Sequence, residues 1–179
     1  MQKTTDIIII RGAPGSGKSQ TAKSLADFFP QGVRMEIDKL RSMVISVDWT
    51  NQTEHINVLE ISTKLICDFL KIGFKPIIVI DTFSGDKILK FLADLKAIND
   101  ELNIVVFGLY TSTKELTKRI NKRKKSEFKD IGICLKLNED LLRMKPKNEI
   151  QVDTTNRKPQ ETAQIIINQI NNANFLQNL

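Results

Sequence analysis

Several residue types are scarce in this chain of 179 residues, and each scarcity excludes a class of protein. Two cysteines, Cys67 and Cys134, and one histidine, His55, are too few for a disulfide-stapled scaffold or a zinc cluster. Aromatic residues make up only 6%, so the chain lacks the material for a base-stacking platform that binds single-stranded nucleic acid. No apolar run approaches the roughly 20 residues that a membrane-spanning helix needs.

What remains is the composition of a globular protein with excess positive charge. Hydrophobic residues make up 41%, and 27 basic residues against 21 acidic ones leave a net charge of +6. The length predicts a single domain over 1–179 with a sizeable core. The positive charge suits a polyanionic ligand without requiring nucleic acid. Because the cysteines stand singly in apolar segments, we interpret them as buried free thiols of a cytoplasmic protein that has no membrane partner.

The clearest motif is the sequence GAPGSGKS at positions 12–19. It matches the phosphate-binding loop G-x-x-x-x-G-K-[ST], in which glycines let backbone N–H groups turn toward phosphate oxygens. Four isoleucines at 7–10 predict a buried strand before the loop, and helical periodicity follows it. The alternative is an ordinary glycine turn between a strand and a helix. We predict that a nucleoside triphosphate contacts Gly12, Ala13, Pro14, Gly15, Ser16, Gly17, Lys18, Ser19 and Gln20.

Along the rest of the chain, apolar periodicity alternates between strand-like and helix-like stretches. Alternation of this kind predicts an α/β fold in which helices cover both faces of a parallel sheet. The predicted strands are 6–11, 33–37, 76–81, 103–109 and 149–153. The predicted helices are 18–29, 39–46, 53–72, 84–97, 113–124, 132–144 and 159–171.

Carboxylates stand at or just after the ends of three predicted strands, at Asp38, Asp81 and Asp153. Ligands of open parallel sheets bind beyond the carboxyl ends of the strands, where the phosphate loop also lies. Each carboxylate is alternatively a helix cap or a loop residue. We favour that alternative for Asp153 and a functional role for Asp38 and Asp81.

Together with the phosphate loop, Asp38-Lys39-Leu40-Arg41 resembles the small P-loop kinases of the nucleoside-monophosphate-kinase-like superfamily. Within them, D-x-x-R most resembles polynucleotide 5′-kinases of the phage type and their bacterial relatives, and VIDT at 79–82 resembles their third strand. The resemblance implies a three-layer fold with a five-stranded sheet in the order 2-3-1-4-5. It also implies that Asp38 takes the proton of the acceptor hydroxyl and that Arg41 binds a phosphate or another anion on the acceptor.

The residues themselves allow the same chemistry on the acceptor side. Asp38 and Arg41, three positions apart, share a helix face, where a carboxylate can act as a general base and a guanidinium can grip phosphate. The alternative is a local ion pair between the two. Asp81 is expected to hold Mg²⁺ with the Ser19 hydroxyl, or to position the acceptor, and Thr82 is expected to contact the acceptor.

The strongest cluster of charge lies between positions 111 and 132. Ser112 and Glu115 predict a helix start, and Arg119 and Arg123 follow one helical turn apart. The placement resembles the lid of P-loop kinases, here at approximately 119–133, and the resemblance implies that Arg119 contacts adenine and Arg123 clamps the phosphates. The alternative is a solvated basic helix face.

Two conspicuous residues are assigned no chemistry: we interpret His55 as a surface residue and Trp49 as a packed loop anchor. The sequence predicts ATP-dependent, Mg²⁺-dependent phosphoryl transfer to a hydroxyl group, in which Lys18, Asp38 and Arg123 take part. We favour a small-molecule acceptor over a nucleic-acid end. The alternative from another class is a nucleotide-binding regulatory module, or a weak ATPase that has no acceptor.

Overall fold

A computed structural model describes residues 5–176 and contains one parallel sheet of five strands. The strands are β1 (Ile7–Arg11), β2 (Val33–Glu36), β3 (Ile77–Asp81), β4 (Ile104–Tyr110) and β5 (Ile150–Asp153). Their order in the sheet is β2-β3-β1-β4-β5, and every neighbouring pair is parallel. The predicted fold class and strand order are therefore confirmed.

The structure has a helix at each of the seven predicted places. The helices are α1 (Lys18–Ala26), α2 (Ile37–Arg41), α3 (Gln52–Lys71), α4 (Lys87–Ile98), α5 (Thr113–Asn121), α6 (Ile131–Arg143) and α7 (Pro159–Leu176). The predicted bounds of α2, 39–46, were wrong, because the helix ends at Arg41. The apolar residues that follow, Met43 and Ile45, are exposed and give a longer helix no buried face to pack.

The four isoleucines of β1 form the centre of the core. Ile7 and Ile9 pack on the side of α3 and α4, whereas Ile8 and Ile10 pack on the side of α1 and α7. All four are fully buried because β1 has a strand on either side and helices on both faces. The loop that follows β1 is thus attached to the central, fully buried strand of the sheet.

A buried ion pair, which sequence analysis did not single out, closes the end of β1. Arg11 Nε lies 2.6 Å from Glu149 Oε2, and the guanidinium also donates to the carbonyl oxygens of Leu141 and Met144. Burial raises the pKa of Glu149 despite the neighbouring Arg11 charge. A Cβ at Gly108 would overlap the Glu149 carboxylate, so a larger residue does not fit there. The pair ties the central strand to α6 and to the start of β5.

Both cysteines are buried and free, as predicted. Burial raises the pKa of the Cys67 and Cys134 thiols, which keeps them protonated. Among the helices described, none is both long enough and apolar enough to cross a membrane.

Candidate active site

An open cleft of about 610 Å³ lies beyond the carboxyl ends of the central strands. The phosphate loop forms its floor, the ends of β2 and β3 form one wall, and α5 with the segment after it forms the other. Most of the residues predicted from the sequence line this cleft: Pro14, Gly15, Gly17, Lys18, Ser19, Gln20, Asp38, Asp81, Thr82, Arg119 and Arg123. Gly12, Ala13, Ser16 and Arg41 are buried behind it.

The phosphate loop takes its shape from two glycines in the left-handed region. Gly15 has φ 87° and Gly17 has φ 97°, conformations that residues with a Cβ rarely adopt. A Cβ on Gly15 would also approach the side chains of Leu116 and Ile120 to 2.9 Å. The loop therefore packs directly against α5, and its backbone faces the cleft at the beginning of α1.

Lys18 bends back over its own loop. Its ammonium donates to the carbonyl oxygen of Gly12 at 2.7 Å and to that of Ala13 at 3.1 Å. Burial lowers the pKa of Lys18 to about 8, although the charges of Asp81 and Asp38 oppose the shift. The cleft thus holds a desolvated cation beside the loop amides, an arrangement suited to a phosphate group.

Two carboxylates at the other end of the cleft have opposite pKa shifts. Asp38, in the first turn of α2, is open to the cleft but surrounded by protein, and this desolvation together with the Asp81 charge raises its pKa. Burial by itself would raise the pKa of Asp81 too, but the His55 ring, the Phe83 N–H and the Lys18 charge together hold it below its usual value. Carboxylate pairs with separated pKa values are typical of sites where one group stays ionised and the other exchanges a proton.

His55 is not a surface residue, and that interpretation was wrong. Its side chain is buried, and its Nε2 lies 3.3 Å from Asp81 Oδ1. The signal was present in the sequence, because His55 shares helical spacing with Val58, Leu59 and Ser62, which form the buried face of α3. The residue therefore belongs to the wall of the site beneath Asp81.

Arg41 neither lines the cleft as an anion ligand, as expected, nor forms the alternative local ion pair with Asp38. Its Nε donates to Glu54 Oε1 at 2.8 Å, and its Nη2 donates to the backbone carbonyls of Asp48 and Asn51. Trp49, itself half-exposed, stacks on the guanidinium at 5.2 Å from the ring centroid. Arg41 is only 4% exposed, so it holds the segment 42–51 against the start of α3 instead of facing the cleft.

Arg119 joins α5 to the phosphate loop and to the residue after β5. Its Nη2 donates to the Thr154 carbonyl at 2.7 Å, and its Nη1 contacts Thr154 Oγ1 at 3.0 Å and the Gly15 carbonyl at 3.4 Å. Thr154, which sequence analysis missed, also donates to the Ser16 carbonyl. Asp153, just before it, accepts from the Thr155 N–H, the loop role that we favoured for it.

Arg123 lies two residues beyond the end of α5, which is shorter than the predicted helix over 113–124. Its Nη2 is 3.1 Å from Glu127 Oε1 in the segment 122–130. Its Nη1 is buried, and no group within residues 5–176 accepts a hydrogen bond from it. The guanidinium lines the cleft and lowers the pKa of Lys18 through its charge, so it is available to an anionic ligand.

The cleft offers a divalent cation oxygen ligands but no complete cage. The Ser19 hydroxyl and the Asp81 carboxylate both line it. Across the described residues, no group of three or more His, Cys, Asp or Glu side chains is arranged to hold a metal ion. This fits Mg²⁺, which binds through one or two protein oxygens and takes its other ligands from substrate phosphates and water.

Solved structures share this fold, although no protein-family model and no curated protein sequence matches the chain. A sugar kinase from Janibacter sp. is 16% identical, with a TM-score of 0.67 over 92% of this chain and 93% of that one. The tunicamycin resistance protein of Deinococcus radiodurans is 20% identical, with a TM-score of 0.67 over 93% and 95%. An APS kinase from Mycobacterium tuberculosis, in complex with AMPPNP and APS, is 15% identical, with a TM-score of 0.64 over 92% and 96%. At these identities the likeness establishes a common fold, the five-stranded parallel sheet of P-loop proteins with helices on both faces.

Proposed function

We propose that this protein transfers the γ-phosphoryl group of ATP to a hydroxyl group of a small, non-anionic acceptor. One observation carries the proposal: the cleft joins a lysine-bearing phosphate loop to two carboxylates whose pKa values are shifted in opposite directions. A site that only binds a triphosphate needs no more than the phosphate loop. A site for phosphoryl transfer to an alcohol also needs a proton acceptor on the far side of the γ-phosphate.

At the nucleotide end, the loop amides around Gly15 and Gly17 would bind the phosphates, and Lys18 would span the β- and γ-groups. The unpaired Nη1 of Arg123 supports a contact with the equatorial oxygens, where charge must be compensated during transfer. Ser19 and Asp81 would hold Mg²⁺, which when bound compensates the charge of the phosphates. Arg119 is already bonded to Thr154, so its contact with adenine would use the face of the guanidinium.

At the acceptor end, Asp38 would take the proton as the acceptor oxygen forms its bond to phosphorus and the bond to ADP breaks. Its raised pKa supports this role, because a base with a pKa nearer to neutrality removes a hydroxyl proton more effectively. Thr82, which lines the cleft beside Asp81, would contact the acceptor. A lid over 119–133 and a cytoplasmic location stay predictions from the sequence.

The class of acceptor follows from the charges at that end of the cleft. Asp38 and Asp81 line the cleft, whereas Arg41, the cation expected to bind an acceptor phosphate, is buried and bonded to Glu54. Among the described residues that line this end, a phosphorylated acceptor would meet the carboxylates of Glu36, Asp38 and Asp81 and no free guanidinium. We therefore favour a polyol or an amine-bearing alcohol over a nucleotide or a nucleic-acid end.

The test is a transfer screen with radiolabelled ATP. Wild-type protein is incubated with sugars, aminated sugars, nucleosides and oligonucleotides that carry 5′-hydroxyls, and each reaction is repeated with Asp38→Asn. We expect a neutral or cationic acceptor to be labelled by the wild type alone. If ATP binds but no acceptor is labelled, the chain is a nucleotide-binding module. If only the oligonucleotides are labelled, the proposed acceptor class is wrong.

A further inference from the structure

His55 lies at the centre of a buried contact chain behind the acceptor end of the cleft. Its Nε2 is 3.3 Å from Asp81 Oδ1, and its Nδ1 is 3.3 Å from Lys87 Nζ at the start of α4. It is the only histidine of the chain. The three residues come from β3, α3 and α4, so the contact crosses three elements of one wall.

The lysine determines which ring nitrogen of His55 carries the proton. An ammonium group only donates, and it has three N–H bonds. The three acceptors around Lys87 Nζ are Gln52 Oε1 at 2.6 Å, Ser84 Oγ at 3.2 Å and His55 Nδ1 at 3.3 Å. Because Nδ1 must then accept, the proton of the neutral ring is on Nε2, which faces Asp81.

Each carboxylate oxygen of Asp81 has a donor group close to it. The Phe83 N–H donates to Oδ2 at 2.7 Å, and Phe83 is held there by full burial and by a left-handed backbone with φ 47°. The His55 Nε2 contact with Oδ1 is close but is not aligned as a hydrogen bond. Catalytic contacts of this kind commonly tighten when the substrate binds.

We propose that His55 is a positioning residue for Asp81, and that Lys87 fixes the ring in the tautomer that presents Nε2–H to the carboxylate. The role rests on the proposed function, in which Asp81 holds Mg²⁺ together with Ser19. Phe83 fixes one carboxylate oxygen from its own loop, and His55 restrains the other from α3. With both oxygens restrained, the Asp81 carboxylate is held in one orientation, with its remaining lone pairs toward the cleft. Partners that orient a metal-binding group in this way typically account for roughly 10–100-fold in metal affinity or activity.

The tautomer can be measured whether or not the protein is a kinase. With histidine labelled at its ring nitrogens, NMR reports one ring, because the chain has one histidine. In the spectrum of the neutral ring we expect the proton on Nε2. Lys87→Met should convert this into a mixture of tautomers, whereas Lys90→Met, which changes an exposed lysine one turn along α4, should leave the spectrum unchanged. A neutral ring protonated on Nδ1, or a spectrum insensitive to Lys87→Met, would overturn the proposal.

The effect on Asp81 is measured as the gain in ATP affinity when Mg²⁺ is added. Gln places an amide N–H near the position of Nε2, whereas Asn reaches only the position of Nδ1. We expect His55→Gln to keep the gain within a few-fold and His55→Asn to lower it roughly 10–100-fold, while ATP affinity without Mg²⁺ stays the same in both. Equal losses in the two variants, or no loss in either, would make His55 a packing residue. A screen without any labelled acceptor, combined with the expected tautomer and Mg²⁺ results, would reject the kinase and keep the role of His55.

Discussion

The ammonium of Lys18 lies 2.7 Å from the carbonyl oxygen of Gly12, six residues earlier in the same loop. The cation of the phosphate loop is thus bound to the backbone of the loop itself. A phosphate must compete with the Gly12 and Ala13 carbonyls for it. The competition favours the phosphate, because a charge-assisted hydrogen bond between two ions is stronger than one to a neutral carbonyl.

Lys18→Met should lower triphosphate affinity by roughly 10–100-fold, which corresponds to the loss of one charge-assisted hydrogen bond of about 1.5–3 kcal/mol. Titration calorimetry with ATP measures the change, and circular dichroism checks the fold. Lys23→Met is the matched control, because Lys23 lies on the exposed face of the same helix. Equal affinities of wild type and Lys18→Met would refute the assignment of the loop.

The depressed pKa of Lys18 predicts a pH dependence of stability. Between pH 8 and 10.5 the unfolded chain keeps the lysine proton that the ligand-free native protein has lost. The contribution of Lys18 to the unfolding free energy therefore rises with pH across this window, and because the side chain is partly exposed we expect at most about 1 kcal/mol per pH unit. Urea unfolding at several pH values should give a more positive pH slope in the wild type than in Lys18→Met. Over the same window ATP binding should weaken, since the phosphates need the ammonium form.

Asp38→Asn should lower turnover by roughly 10²–10⁴ and leave ATP affinity unchanged, because the amide keeps the shape but accepts no proton. The raised pKa of Asp38 also predicts that wild-type kcat falls as pH drops through that pKa, when the carboxylate takes up a proton. Steady-state rates across the acid range measure both effects. An Asn variant with the wild-type rate would reduce Asp38 to a helix-start residue.

Glu149→Gln should destabilise the protein by about 3 kcal/mol, because it leaves the Arg11 charge buried without its counter-ion. Denaturant unfolding measures the loss. Glu139→Gln is the control, since Glu139 pairs with Arg143 at the exposed surface of α6, where ion pairs contribute little. If both variants unfold at the same denaturant concentration, the buried pair does not stabilise the end of β1.

Arg41→Gln should loosen the segment 42–51, which Arg41 holds through Glu54 and two backbone carbonyls. Limited proteolysis should cut this segment faster in the variant than in the wild type or in Arg143→Gln, which alters an exposed arginine of α6. ATP affinity should not change. Acceptor binding should show no salt slope that depends on Arg41 either, because a non-anionic acceptor brings no phosphate for Arg41 to neutralise. A salt slope near −0.7 for each phosphate that disappears in Arg41→Gln would restore Arg41 as an anion ligand.

Features encoded by neighbouring residues were predictable from the sequence. The run of isoleucines, the glycine spacing and the helical periodicity after Lys18 all lie within one stretch, so strand, loop and helix were correctly placed. The meeting of Asp81, at the end of β3, with Asp38, two residues after β2, was predictable for a similar reason, since parallel strands bring their carboxyl ends to one edge.

Features that depend on distant partners were not predictable. Arg41 stands three residues after Asp38, which suggested a local pair, but its partner Glu54 is thirteen residues away. Arg11 and Glu149 are separated by 138 positions, and nothing in the local pattern of either residue indicates the other. The helical spacing of His55 with Val58 and Leu59 did indicate burial, but its partner Asp81, 26 positions away, could not be identified from the sequence.

The two ends of the cleft follow strands at different positions in the sheet. More of the molecule is therefore packed around one end than around the other. Lys18 follows β1, which has a neighbour on each side, whereas Asp38 and the segment 42–51 follow β2, which is paired only with β3. In that segment Met43 is 75% exposed and Ile45 is fully exposed, so their replacement disturbs few contacts. Natural variation can therefore accumulate at the acceptor end while the phosphate chemistry is preserved. A lineage with this architecture can change the molecule it modifies without rebuilding the part that handles ATP.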